Sequence, residues 1–153
     1  MGRILPATAL IFTLLSFAAP ALAGPNPVHR LGLPFQKAEA ALTKAIKKNK
    51  MGLVCKASAQ HGAASIGVEI KGNRVFGVFR PDFAVRMLKA SVPAGIEAPV
   101  RIYLFENADG TATLTYKKPS DVFRPYGSAD LDKMAAELDA IFARIARDAA
   151  AAP

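Results

Sequence analysis

The chain has 153 residues, 52% of them hydrophobic, with 20 Lys and Arg against 12 Asp and Glu for a formal charge of +8, and one cysteine. That length suits one domain with a core of its own. A single cysteine excludes an intramolecular disulfide, so packing must supply the stability.

Positions 1–23 open with Arg3, continue through an apolar run interrupted by Pro6 and flanked by Pro20, and end in Ala21-Leu22-Ala23 before Gly24. This is the layout of a secretory signal peptide with a small-x-small cleavage site. The apolar core is shorter than the roughly 20 residues of a membrane span, and no basic stop-transfer cluster follows it. The expectation is a periplasmic or secreted protein, cleaved between Ala23 and Gly24, with no stable membrane anchor. Loss of Arg3 leaves the remainder basic. In an exported protein that balance serves solubility, or weak attraction to acidic envelope surfaces. Nucleic acid is not expected as a partner, because no helix concentrates Lys and Arg with interleaved aromatics.

A lead-in over 24–34 precedes the main domain, placed at 35–148. Within it, 28–33 reads as a short edge strand ended by Pro34. From Phe35 the apolar positions Phe35, Ala38, Leu42, Ala45 and Ile46 recur at helical spacing, with lysines in the last turn and Gly52 just beyond; this predicts an amphipathic helix. Residues 53–57 read as a strand that buries Cys55, where a free thiol acts as a small hydrophobe. A Gly/Ala/Ser-rich connection around His61 follows, then a short apolar strand at 66–70 and a Lys71-Gly72-Asn73 turn. Residues 74–79 are β-branched and aromatic, hence a strand. Pro81 then suits the first turn of a helix whose inner face is Phe83, Met87 and Ala90.

Two alternating segments, 100–106 and 111–117, flank Asn107-Ala108-Asp109-Gly110, a strong hairpin signal. Alternation sets Val100, Ile102 and Leu104 on one face and Arg101, Tyr103 and Phe105 on the other. Leu131, Met134, Ala135, Leu138, Ile141, Phe142 and Ile145 form the stripe of a final helix capped by Ser128, with an alanine-rich tail fraying beyond Arg147. The order β-α-β-β-β-α-β-β-α predicts an α+β fold: a two-layer domain with a largely antiparallel sheet and helices packed on one face.

The segment Ala98-Pro99-Val100-Arg101-Ile102-Tyr103-Leu104-Phe105-Glu106-Asn107-Ala108-Asp109-Gly110, followed by Thr113-Leu114-Thr115-Tyr116 and Pro119, resembles the signature region of the domain of unknown function 302 family. The likeness spans roughly 35–146. The chain departs from the family pattern at Phe76-Gly77-Val78-Phe79-Arg80-Pro81, which stands for Phe-Gly-Asn-Pro, and at Gln60, which stands where an aspartate precedes the histidine. The resemblance implies a compact α+β domain, sometimes a homodimer, with no established general activity.

No phosphate loop, nucleophile elbow or Cys/His cluster at metal spacing is present. His61 is suited to be a general base or a single metal or haem ligand, with Cys55 or Tyr116 as companions, or simply a hydrogen-bonding loop residue. Glu106 and Asp109 are expected to stabilise their turn. Arg101 and Tyr103 either meet a ligand or second subunit on an open sheet face, or lie under the chain's own N-terminal segment. The repeated Val-Phe-Arg-Pro at 78–81 and 122–125 is not a duplication, since the flanking residues do not align. Arg80 and Arg124 each precede a proline and are expected in extended backbone, where with Tyr126 they are a candidate anion clamp.

Two function classes remain open at this point. The first is an exported module that binds a small, possibly anionic ligand or a protein partner without catalysis. The alternative is an enzyme or redox or haem-associated protein centred on His61. The cofactor and the natural ligand are unknown from the sequence.

Overall fold

A computed structural model describes residues 25–153; the leader over 1–23 and its cleavage junction lie outside the described residues. Five strands form one antiparallel sheet in the order β1-β5-β4-β3-β2. They are β1 (Val28–Pro34), β2 (Gly52–Ala57), β3 (Asn73–Phe79), β4 (Val100–Glu106) and β5 (Thr111–Tyr116). The helices are α1 (Phe35–Lys48), α2 (Ala59–Ala64), α3 (Pro81–Ala90), α4 (Pro119–Phe123) and α5 (Ala129–Ala150), with short 3-10 helices at Val92–Glu97 and Arg124–Tyr126. The fold is α+β.

Periodicity explains the layers. On α1 the buried residues are Phe35, Ala38, Leu42, Ala45 and Ile46, the positions that helical spacing selects. On α5 the buried row runs from Leu131 to Ala149, and the Ser128 hydroxyl accepts from the Leu131 N–H at the helix start. These rows meet the inward side chains of the sheet: Phe76 and Val78 from β3, Ile102 and Leu104 from β4, Ala112 and Leu114 from β5. Cross-strand pairing of Phe76 with Ile102 and of Leu104 with Leu114 puts them on one face, so Val75, Arg101, Tyr103 and Thr115 occupy the other.

The hairpin forms as its Asp-Gly pair predicts. Gly110 takes φ +80°, which only glycine adopts without strain, and the Asp109 carboxylate accepts from the Thr111 N–H at 3.0 Å. Glu106 does different work, its carboxylate accepting from the Gly72 N–H at 2.8 Å and so holding the turn before β3.

Four local expectations fail. No strand forms at 66–70, where Ile66, Val68 and Ile70 are exposed; alternation alone cannot build a strand without a neighbour to pair with. The connection before it is instead α2, started by the Ser58 hydroxyl accepting from the His61 N–H. Cys55 is exposed because β2 is a sheet edge and a bulge between Leu53 and Cys55 turns the thiol toward Gly77 on the open face. The tail beyond Arg147 continues α5 to Ala150, with Ala149 buried and Asp148 bonded to Lys48 and Asn49 of the α1 terminus.

Candidate functional site

On the side of the sheet away from the large helices lies a cleft of about 700 Å³, within the range of small-molecule sites. Its floor is Val75 from β3, Arg101 and Tyr103 from β4, and Thr115 from β5; its walls include Glu97 from the first 3-10 helix, Lys117, Asp121 and Val122 from the β5–α4 region, and Pro125. Strand alternation aims Arg101 and Tyr103 outward together, and the Tyr103 ring is braced by Phe105, ring centres 5.5 Å apart. The N-terminal segment reaches this face through Asn26, which lines the cleft, and Pro27, whose carbonyl accepts from Thr115 Oγ1 at 2.9 Å. Its described residues do not bury the face, for Arg101 stays exposed and Tyr103 is 39% exposed among them.

The charges of the cleft are arranged asymmetrically. The Asp121 carboxylate is bonded by the Arg124 guanidinium, and the Glu97 carboxylate accepts from the Tyr126 hydroxyl at 3.0 Å. Burial, and then the neighbouring Glu97 carboxylate, raises the Tyr126 pKa above its ordinary value, so the hydroxyl stays protonated and able to donate. The side chains of Arg101 and Lys117, by contrast, are tied by no ion pair or hydrogen bond to another described residue.

The Val-Phe-Arg-Pro echo resolves into two different backbones. Arg80 is extended, φ −148° and ψ 129°, as a residue before proline should be. Arg124 is helical, φ −51° and ψ −41°, because the end of α4 runs straight into the 3-10 helix that Pro125 enters; the extended expectation for it is incorrect. Arg80 grips Asp82 with two bonds of 2.7 and 2.9 Å and covers the Phe83 ring at 4.3 Å. Its hydrogen bond holds the Asp82 carboxyl below the ordinary carboxylate range. Arg80 does not line the cleft. It borders a separate cavity of about 30 Å³ among Met51, Phe83, Met87, Phe123 and Phe142, an apolar packing void rather than a ligand site.

A match to the family model described as "Domain of unknown function DUF302" extends over residues 28–149. The chain belongs to the DUF302 family. The crystal structure of an uncharacterized conserved DUF302 protein from Bacillus stearothermophilus has the same fold, with TM-score 0.74 and 16% sequence identity over 84% of this chain and 98% of that one. No curated protein matches the chain.

In this DUF302 domain His61 sits on α2, exposed, away from the cleft lining. Its Nε2 lies 3.3 Å from an Arg74 guanidinium nitrogen; since arginine only donates, Nε2 accepts and the ring proton belongs on Nδ1. Cys55 and Tyr116 are not its companions. His61 bonds Arg74, whose guanidinium lies against Glu39 and Phe35 on the α1 side of the sheet, whereas the Cys55 thiol lies over Gly77 on the open face and Tyr116, on β5, faces the core against Phe142 and His29. Of the six residues singled out from the sequence, Arg101 and Tyr103 line the cleft, Arg124 and Tyr126 bond its acids, and Arg80 and His61 lie elsewhere. Lys117, Glu97 and Asp121 were missed. Alternation from Thr115 would have placed Lys117 on the open face; nothing local signals the two acids, which reach the cleft from a 3-10 helix and a five-residue helix.

Proposed function

We propose that this protein is a non-catalytic binding module for a small anionic ligand, held over Arg101 and Lys117 in the cleft on the open sheet face. One observation carries the reading: the acids of the cleft are already bonded by Arg124 and Tyr126, while Arg101 and Lys117 have no such partners. A guanidinium and an ammonium beside apolar walls attract a carboxylate or phosphate and repel cations. Tyr103, Val75, Val122 and Pro125 offer the apolar contact that a ligand body needs. The rival reading, chemistry centred on His61, has less support, because a guanidinium occupies His61 Nε2, the Cys55 thiol lies over Gly77 on the open face, and Tyr116 is buried in the core. We place the module outside the cytoplasm after removal of residues 1–23, which intact mass of the mature protein checks.

Titration of ¹⁵N-labelled protein with 2-naphthoate tests the site. The amides of Arg101, Tyr103 and Lys117 should shift and saturate, neutral 2-naphthamide should bind far more weakly, and the double variant Arg101→Gln, Lys117→Gln should bind the anion about tenfold more weakly or worse, the loss of one charged hydrogen bond. Equal binding by the double variant sinks the proposal.

A further inference from the structure

Four large aliphatic side chains stand in solvent on two adjoining elements: Val85 and Leu88 on α3, and Val92 and Ile96 on the 3-10 helix that follows, the last two 73% and 82% exposed. They form one patch because the 3-10 helix folds back on α3. A Cβ built on Gly95 would come within 3.1 Å of Leu88 Cδ2, so the turn between Val92 and Ile96 lies directly against Leu88. Nothing in the core requires these residues, since the inner faces of the two elements are already supplied by Phe83, Met87 and Ala94.

We propose that this patch docks the protein reversibly on the surface of an anionic phospholipid bilayer. The four side chains present on the order of 400 Å² of apolar surface, about half of what each partner buries in a stable protein dimer. The patch also lacks an exposed Trp or Tyr anchor of the kind that dominates protein–protein hot spots, and the one arginine beside it, Arg86, is already held by Glu137. Short aliphatic chains inserting into the headgroup boundary need neither a large area nor a shaped partner; they need apolar contact and attraction between a basic protein and acidic lipid. The chain's formal charge of +8, or +7 once Arg3 leaves with residues 1–23, supplies the attraction. Lys89, beside Leu88 and without an ion pair among the described residues, supplies it locally, whereas Arg86 is held by Glu137 at 2.7 and 2.8 Å. Among the described residues no helix is long and apolar enough to cross a membrane, and the contact proposed is peripheral. Ile96 is followed directly by Glu97 of the cleft wall, and one 3-10 helix therefore belongs to both surfaces. The docking itself does not depend on what the cleft holds.

Vesicle co-sedimentation of the processed protein provides the test, with phosphatidylglycerol and phosphatidylcholine in about a 1:3 ratio against phosphatidylcholine alone. The protein should sediment with the anionic vesicles, much less with the neutral ones, and less as salt rises. Val92→Ser, Ile96→Ser should reduce binding to anionic vesicles about tenfold or more while leaving the circular dichroism spectrum and melting temperature unchanged. Ile66→Ser, Val68→Ser, in the other exposed aliphatic segment, should bind like the parent. Undiminished sedimentation of the Val92/Ile96 variant overturns the proposal, as does failure of the parent to sediment or loss of binding only in the Ile66/Val68 variant. A parent dimer by light scattering that the Val92/Ile96 variant converts to monomer also overturns it, since the occupant would then be a second copy.

Discussion

The Arg74 guanidinium lies 3.3 Å from the Glu39 carboxylate, joining β3 to α1 with only 11% and 19% of the two side chains exposed. Arg74 also donates to Ser58 Oγ at 2.7 Å and Gln60 Oε1 at 3.2 Å, and lies over the Phe35 ring at 5.4 Å. One side chain therefore fastens α1, α2 and β3 together. Truncating one partner of such a pair leaves the other poorly compensated, although Glu39 keeps Lys56 at 2.9 Å. Arg74→Met should cost about 1–3 kcal/mol by chemical denaturation, while His61→Ala, at an exposed end of the cluster, should stay within about 0.5 kcal/mol. The reverse order of effects would make His61 the organising residue.

Gly77 is set by its neighbours rather than by its backbone angles. A Cβ there would stand 2.3 Å from Cys55 Sγ and 2.9 Å from Pro99 Cγ, and neither atom ends a long flexible chain. Gly77→Ala should destabilise by about 1–3 kcal/mol through overpacking. Adding Cys55→Ala should recover part of that loss, because it removes the nearer obstacle and leaves Pro99. Strict additivity of the two changes in a double-mutant cycle would show that the thiol does not press on this position.

What sequence reasoning recovers here tracks the range of the interaction that decides each element. The α1 row, the α5 stripe with its Ser128 cap, and the Asp-Gly hairpin depend on neighbours within a turn or two, and all appear where the spacing puts them. Cys55 and residues 66–70 escape local patterning because their burial depends on which strands pair: β2 ends the sheet, and among the described residues no strand lies beyond it to cover Val54 or to pair with Ile66, Val68 and Ile70. The same holds at the cleft. Arg101 and Tyr103 follow from alternation, and Asp121 and Arg124 are i,i+3 neighbours; but the placing of that pair beside the cleft, and the bond of Glu97 to Tyr126 across 29 residues, depend on where the β4–β5 hairpin leaves its two flanking connections, which no local pattern encodes. His29 makes the point from the other side: no spacing in the chain marks it, yet it stacks nearly parallel on Tyr116, ring centres 6.2 Å apart, where β1 joins the sheet.

Acid should loosen the junction between the two long helices. The Asp148 carboxylate accepts from Lys48 Nζ and Asn49 Nδ2, each at 2.7 Å, and these bonds, Lys48's first, lower its pKa below the ordinary value. A carboxyl depressed in the folded state contributes stability that is present above its unfolded pKa of about 4 and lost as pH falls through the folded value. Asp148→Asn should therefore be less stable than the parent at pH 7, with the gap narrowing as pH drops below about 4. A gap that stays constant from neutral to acidic pH would assign the effect to packing of the helix end instead of to the charge.

Tyr126 matters to the cleft through the charge it holds in place. Its hydroxyl is the hydrogen-bond donor to Glu97; without it the carboxylate is left to pair with a cation, and those lining the same cleft with no ion pair to a described residue are Arg101 and Lys117, the two proposed to meet the ligand. Tyr126→Phe should thus weaken 2-naphthoate binding about fivefold, the value of roughly 1 kcal/mol for one lost hydrogen bond redirected into competition. Adding Glu97→Gln removes the competing charge, so the double variant should bind at least as tightly as the parent even though the phenol is still missing. Measuring all three proteins in one titration series separates the two roles Tyr126 could have. If Tyr126→Phe binds normally, the tyrosine does not guard the cleft's cations; if the double variant stays weak, the phenol contacts the ligand itself and the carboxylate is a bystander.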